Sequence, residues 1–523
     1  MSQARETREF WTSRLGVIFA VMGSAVGLGN FLRFPGQAAQ HDIAAFMIAY
    51  FISLLLLGLP LALAEWAMGR FGGVRGYSSA PGVFRVITGR VTGAYLGLLG
   101  VLIPLVIFQY YVVIEAWCLG YALNYFSGNL IPAKEAESIF VQFTGLGADG
   151  ELFRGKSPLL WLVVMCFVLN MALIYFGIRR GIELACRIGV PLLMVLAIVL
   201  VVRVLTLGTP DPAHPERNVI QALGRMWNPG GTEAFWNSIF NPDMWLAAAG
   251  QIFFSLSVGF GVVITYASYV RRNEDIVLSG TTSVAGNEFC EVALGGMLTL
   301  PAAFLFLGAA VPLGSAMGLG FVALPGLFTM MPAGHIFGGM FFLLLFLAAL
   351  TSSISMVQPA VAFFREGFGV SQKAAIVLVT SICICGTGLV VYFTKDLKVL
   401  DTLDFWVGTF CIFLLSLIQT IVFGWVLGPV RGWRELRRGA SLLLPRVILF
   451  ILRYITPVIL LGVFGLWIHK QFFSPQTGAR SSYVQELTSN MVSQIAFGWI
   501  VVVVLLLFIS TRIAIERWKG ASK

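Results

Sequence analysis

Gly23-Ser24-Ala25-Val26-Gly27-Leu28-Gly29-Asn30 is the stretch on which the fold turns. It lies inside an apolar segment, 15–38, and sets three glycines and an asparagine at the depth of a lipid bilayer. Backbone that leaves a helix gives up its internal hydrogen bonds, and hydrocarbon offers no replacement. Such a stretch is tolerated only where protein buries it or where it lines a wet cavity. Close helix packing is the alternative, because Gly23-x-x-x-Gly27 has the small-residue spacing of a packing face.

The rest of the chain supplies the membrane. Of 523 residues, 58% are hydrophobic and 11% charged, too few charges to cover a soluble surface of this size. Apolar runs of about 20 residues, each enough for a hydrocarbon core of about 30 Å, recur along the whole length. They predict an all-α protein of about twelve spans: 15–38, 43–69, 89–124, 159–177, 183–206, 241–268, 277–310, 336–366, 372–393, 399–427, 446–469 and 490–511. The unbroken succession makes 1–523 one membrane domain. The runs 89–124 and 336–366 exceed the bilayer and must tilt or protrude. The stretch 311–335, with Pro312, Pro325 and Pro332, is too broken to cross and reads as a re-entrant or capping loop outside the membrane.

Charge orients the spans and excludes other classes. The formal charge of +10 comes from Lys and Arg dispersed between apolar segments, which suits lipid orientation better than nucleic acid. One set of loops is rich in them (Arg70, Arg75, Arg85 and Arg90; Arg179, Arg180 and Arg187; Arg431, Arg434, Arg437 and Arg438) and the alternate set is poor. By the positive-inside rule both termini are cytoplasmic. Seven cysteines without a CxxC pair and four scattered histidines argue against a disulfide framework or a zinc site. No Asn-x-Ser/Thr sequon occurs, and with short outer loops this favours a bacterial inner membrane. Arg5, Arg8 and Arg14 before the first apolar run imitate a signal peptide, but the run continues through Phe31, Leu32, Phe34 and Pro35. An enzyme would need a nucleophile with a base, and Ser352 and Ser353 have no histidine on their helix face. A channel would show a filter of repeated carbonyls or charge rings.

The first interruption has a counterpart. Ser255-Leu256-Ser257-Val258-Gly259-Phe260-Gly261 spoils the sixth span as 23–30 spoils the first. Paired Gly-interrupted spans in matching positions of two five-span halves point to inverted repeats with a binding site near the midplane. Packing glycines explain one such segment as well as a cavity does; they explain two in register poorly.

At this point longer motifs carry a resemblance. Arg8-Glu9-Phe10-Trp11-Thr12-Ser13-Arg14-Leu15-Gly16 and the run from Ala25 to Pro35 resemble the neurotransmitter:sodium symporter family, in particular its bacterial amino-acid transporters. So do Glu65-Trp66-Ala67-Met68-Gly69-Arg70, Gln251-Ile252-Phe253-Phe254-Ser255-Leu256-Ser257 and Ala349-Leu350-Thr351-Ser352-Ser353. The motifs run in order over about the first 425 residues. The resemblance implies the leucine-transporter-like fold: inverted repeats over 8–206 and 241–427, with helices 1 and 6 broken, and two peripheral spans over 446–511.

It also implies a site. Sodium is a hard cation that takes oxygen ligands, and an unwound helix frees carbonyls for it. The family pattern maps a first sodium onto the Ala25 carbonyl, Asn30, Ser255 and Asn287, and a second onto carbonyls of Gly23, Val26 and Ala348 with the hydroxyls of Thr351 and Ser352. Ser255 stands where relatives often have Thr. Taken alone, Thr351-Ser352-Ser353 reads as ordinary hydroxyls bonded back to the preceding turn. A substrate carboxylate would meet Ala25, Gly27, the amides of Leu28 and Gly29, and the Tyr111 hydroxyl. Relatives that carry monoamines have an aspartate at position 27, so glycine here implies an amino acid. Ile107, Phe254, Ser255, Ser257, Phe260, Ser353 and Met356 would surround its side chain, an uncharged lining that fits a neutral, hydrophobic residue. Glu291, near Tyr50 and Gln251, lies where chloride-dependent relatives bind the anion. Its carboxylate would replace chloride and is a candidate to take a proton once sodium leaves; Glu288 is the alternative acid for a structural pair.

The implied outer gate is Arg33 with Asp404, or Asp401 in its place, above a lid of Tyr111 and Phe254. The inner gate is Arg8 with Glu366, where relatives usually have Asp, among Trp11, Ser268, Tyr269 and Gln358. Together these imply a symporter, not an enzyme, that imports a neutral L-amino acid with two sodium ions by alternating access, without chloride or an organic cofactor. Proton coupling, or a receptor with the same site and no flux, are the alternatives.

Overall fold

Helices that are apolar on every side must hide from water in lipid or in one another, and this chain does both. The computed structural model describes residues 9–155, 157–210, 212–228, 231–307, 316–473 and 483–520. Among the described residues there is no strand. The first span is two helices, α1 (Arg14–Ala25) and α2 (Gly29–Ala39), bent by 49° at the break between them. Then follow α3 (Ile43–Gly73), α4 (Val91–Phe126), α5 (Leu159–Tyr175) and α6 (Ile178–Leu205). The sixth span is again split, into α7 (Pro242–Ser255) and α8 (Val262–Ser268). The chain continues with α9 (Ile276–Leu305), α10 (Gly334–Phe368), α11 (Gln372–Tyr392) and α12 (Lys395–Leu427). A short α13 (Pro429–Arg437) precedes α14 (Val447–Phe473) and α15 (Met491–Lys519).

Nine of the described helices are long and apolar enough to cross a membrane, ten if α1 and α2 count as one span. The segments expected as the fourth and sixth spans are the 17-residue α5 and the split pair α7 and α8, which are too short for that test. The 36 residues of α4 make about 54 Å of helix at 1.5 Å per residue, so protrusion beyond the bilayer is built in. One expectation changes. Within 311–335 the described part is not a plain loop: Leu319–Phe328 is an apolar helix, held by hydrogen bonds from Tyr121 to the Phe321 carbonyl and from Tyr125 to the Pro325 carbonyl. Buried tyrosines on α4 supply the donors that its prolines and glycines concealed in the sequence.

Packing forms two groups with α1 touching both. Helix α10 lies along α4, with α5 and α11 against the same helix, while α3 packs on α7, α8 and α9. Helix α1 contacts α6, α9 and α10. At the end of α3 the fully buried Arg70 guanidinium ties down α13, donating to the Glu435 carboxylate at 2.8 Å and to the carbonyls of Glu274 and Arg438.

The two breaks are built from different backbone. Ser13 caps α1 by accepting the Gly16 amide, and the helix stops at Ala25 as Val26 turns extended. In the sixth span Ser257, Gly259 and Gly261 have φ of 52°, 76° and 83°, all in the left-handed region. Glycine takes this conformation without penalty; Ser257 takes it while its hydroxyl donates to the Ser24 carbonyl at 2.8 Å, joining the two breaks. The freed Gly259 amide donates to the Glu65 carboxylate at 3.0 Å. A Cβ at Gly259 would collide with the Ser416 hydroxyl as well as forcing φ. Gly259→Ala should therefore destabilise by about 1–3 kcal/mol, read as a lower melting temperature of the purified protein. Gly388→Ala, in open space on α11, should leave the melting temperature unchanged or slightly raised.

Candidate functional site

The two breaks face each other across a cleft. Ser24, Ala25, Gly27, Gly29, Tyr111, Phe254, Ser255, Ser257, Phe260, Ser352 and Met356 line it. No acidic or basic side chain is in that lining. Tyr111 hangs over the α1–α2 break, with the Leu28 amide donating to its hydroxyl at 3.3 Å. Gly27 lets both hydroxyls approach: a Cβ there would stand 2.9 Å from the Tyr111 hydroxyl and 3.0 Å from that of Ser352, and those side-chain ends would have to give.

Two expected lining residues are not in the cleft. Ser353 turns its hydroxyl the other way, 2.7 Å from the Glu115 carboxyl and 2.7 Å from the Asn170 amide oxygen. Ile107 is fully buried in packing, one turn or about 6 Å along α4 from Tyr111. Ser24 and Ser352 take part in the lining instead. Ser24 had no motif to mark its side chain, and Ser352 was expected only as an ion ligand.

Beside the cleft, oxygen groups converge. Asn30 accepts the Gly27 amide at 2.8 Å, which fixes its side chain across the break. Its NH2 then points at the Asn287 amide oxygen at 3.0 Å, a Glu291 carboxylate oxygen at 3.4 Å and the Ser255 hydroxyl at 3.5 Å. Three oxygens around one partial positive charge make the donor set a hard cation takes. Asn30, Ser255 and Asn287, expected around one sodium, are thus gathered with Glu291, and all four are fully or almost fully buried. Glu291 receives donors on both oxygens: the Gln251 amide at 2.6 Å on one, the hydroxyl of Ser255 and the Asn30 amide on the other. Tyr50 also lies against Glu291 but gives its proton to Glu288 at 2.7 Å. Glu288 is therefore held by a tyrosine and not by a loop arginine.

The second expected ion set is partly assembled. Ser352 reaches across 328 residues of sequence to the Ser24 carbonyl at 3.3 Å and to the Gly23 carbonyl at 3.2 Å. Thr351 follows the ordinary helical pattern, its hydroxyl on the carbonyls of Leu347 and Ala348 at 3.0 and 3.3 Å, and keeps its lone pairs free. Val26 is fully buried at the same break. The Ser24 hydroxyl is buried without a hydrogen-bond partner, an orphaned oxygen of the kind a cation satisfies. These residues fit a bound sodium ion.

The outer gate is arranged differently from the expected pair. Asp404 accepts a hydrogen bond from Tyr110 at 2.6 Å, and the Arg33 guanidinium lies 4.6 Å over the ring of Phe254. The aromatic lid draws the arginine onto its π face, and the tyrosine satisfies the acid. On the other side Arg8 lies outside the described residues. Glu366 accepts the backbone amides of Ser78 at 2.6 Å and Ser79 at 2.9 Å, just before the helix Ala80–Thr88 that Ser79 caps. The ion pair there joins Arg365 to Glu9 at 3.8 Å. Trp11 is buried and donates to the Tyr266 carbonyl at 2.9 Å, Gln358 donates to the Tyr269 hydroxyl, and Ser268 bonds back to Thr265. The sequence reading assigned no role to Glu65 or Glu115. The signal was available, since an acid inside an apolar span is a functional hypothesis by default.

Comparison with known proteins agrees with this geometry. The model of the sodium:neurotransmitter symporter family matches residues 8–144 and 151–519. A protein of Methanocaldococcus jannaschii, named as an uncharacterized sodium-dependent transporter, is 28% identical over 488 residues, 91% of this chain and 94% of its own. The sodium- and chloride-dependent GABA transporter 2 of Rattus norvegicus is 24% identical, covering 98% of this chain and 86% of its own. The crystal structure of MhsT in complex with L-phenylalanine superposes with a TM-score of 0.74 at 32% identity, covering 87% of this chain and 99% of that one. The chain belongs to the sodium:neurotransmitter symporter family and is a sodium-dependent, multi-pass membrane transporter.

Proposed function

We propose that this transporter imports a neutral, hydrophobic L-amino acid together with two sodium ions, by alternating access and without chloride. The observation that carries the reading is the uncharged cleft between the two helix breaks, with gathered oxygens at its side and a glycine at position 27 in place of a carboxylate. The substrate brings its own carboxylate to the amides of Leu28 and Gly29, to the Tyr111 hydroxyl and to the first sodium at Asn30, Ser255 and Asn287. The second sodium sits among the carbonyls of Gly23, Val26 and Ala348 with Thr351 and Ser352. Phe254, Phe260 and Met356 take the side chain, and the phenylalanine held by MhsT supports an aromatic or aliphatic one.

Glu291 supplies the charge that chloride supplies in other members. Its donors at Gln251, Ser255 and Asn30 suit the ionised form, which then faces the sodium beside it. We read 8–206 and 241–427 as inverted repeats, 446–511 as peripheral, both termini as cytoplasmic and the membrane as a bacterial inner one. Two sodium ions with a zwitterion carry net charge +2. At about 2.3 kcal/mol per charge per 100 mV, the potential contributes about 4.6 kcal/mol, or about three decades of accumulation.

Uptake by the purified protein in liposomes, against a panel of labelled amino acids with sodium, chloride and pH varied in turn, tests the whole reading. Sodium-driven, chloride-insensitive accumulation of hydrophobic L-amino acids is expected; flux driven by a proton gradient alone would overturn it. Asn30→Ala should abolish sodium-stimulated binding, and an unchanged sodium response would remove the first ion site. Glu291→Ser should make transport respond to chloride; indifference to chloride would leave Glu291 a structural acid. Decarboxylated amines such as phenethylamine should not compete with the amino acid, and strong competition would contradict the substrate class.

A further inference from the structure

Glu115 is fully buried on α4, four residues after Tyr111, and belongs to none of the ion or substrate sets above. Among the described residues its partners are Asn170 on α5, Ser353 on α10 and the Cys166 thiol, with no arginine, lysine or histidine. The hydrogen atoms in this ring can be counted. The Asn170 amide is oriented by its NH2, which stands 2.9 Å from the Cys166 carbonyl, a group that only accepts, and 3.0 and 3.1 Å from the two Glu115 oxygens. The Asn170 oxygen therefore faces Ser353, at 2.7 Å from its hydroxyl oxygen. The same hydroxyl oxygen is 2.7 Å from a Glu115 oxygen and, at a longer 3.0 Å, from the Leu350 carbonyl one turn back. The two shorter oxygen–oxygen contacts need two protons, and the Leu350 carbonyl adds a third oxygen that can only accept. The serine has one and the amide oxygen has none.

We propose that Glu115 holds a proton, and that this proton closes the ring: the Glu115 carboxyl donates to Ser353, Ser353 donates to Asn170, and Asn170 donates back to Glu115. An ionised Glu115 would take the serine proton and leave the Asn170 oxygen pressed on the serine oxygen with nothing between them. It would also bury a carboxylate without a cation, which is costly. Glu291 is the contrast, because side-chain amides and a hydroxyl donate to both of its oxygens. The proton ring fastens α4, α5 and α10 together at one level. It keeps the Ser353 hydroxyl out of the cleft, holds its neighbour Ser352 toward the Gly23 and Ser24 carbonyls, and sets Tyr111 one turn away over Leu28. Glu115 is thus a positioning residue. Its effect on transport rests on the function proposed above; its protonation does not.

Infrared spectroscopy of the purified protein tests this without any substrate. The expected result is a protonated-carboxyl carbonyl band at neutral pH that is lost in Glu115→Gln, whose amide can donate to Ser353 in the same place. Ser353→Ala, which removes the acceptor of the proton, should keep the band and shift it to higher frequency. Loss of a carboxylate band in Glu115→Gln, with the protonated-acid bands unchanged, would overturn the proposal, as would a Ser353→Ala spectrum identical to the wild type. Uptake of labelled L-phenylalanine that fails in wild-type liposomes would reject the proposed function and leave the infrared result standing.

Discussion

In lipid, every peptide group that leaves a helix must find a partner inside the protein. That constraint governs this structure at 26–28 and again at 256–261, where two spans come apart. The partners are specific. Asn30 takes the Gly27 amide, Glu65 takes the Gly259 amide, and the hydroxyls of Ser257 and Ser352 reach the Ser24 carbonyl from two directions. The remaining carbonyls and amides are left to whatever the cleft binds. A polar cavity at membrane depth is in this sense the consequence of broken helices, and the residues around it are those that make the breaks affordable.

Buried acids then divide by the company they keep. Glu291 is surrounded by donors and lies beside Asn30 and Asn287, an arrangement that suits a charged carboxylate next to a cation. Glu65 is committed to a backbone amide, and Glu115 to a ring with Ser353 and Asn170. At the membrane surfaces charges are instead drawn to aromatic faces and helix starts: Arg33 to Phe254, Glu366 to the amides of Ser78 and Ser79.

Much of this was legible in the sequence because hydropathy and glycine report backbone demands directly. The breaks at Gly23–Asn30 and Ser255–Gly261 and the long α4 and α10 follow from patterns visible in one dimension. The grouping of Asn30, Ser255, Asn287 and Glu291 came instead from the family resemblance of the motifs. Side-chain direction did not follow. Ser353 differs from Ser352 by one position, or 100° around the helix, and faces Glu115 instead of the cleft. The pairing of Arg33 with Asp404, and of Glu366 with an arginine, assumed that opposite charges meet. The structure satisfies Asp404 with Tyr110, a neutral donor already in place. Glu366 accepts two backbone amides on one of its oxygens, and its expected partner Arg8 lies outside the described residues. The apolar helix Leu319–Phe328 was concealed by prolines, since its stability comes from α4 rather than from its own composition.

The central claim is that the break in the first span presents its oxygens to sodium and its amides to a carboxylate at once, so that each ligand completes the site for the other. The direct test is equilibrium binding of a labelled neutral L-amino acid to the purified protein as sodium is titrated at constant ionic strength. Binding that is absent in potassium and rises steeply and saturably with sodium is the expected result. Equal binding in potassium and in sodium would contradict it.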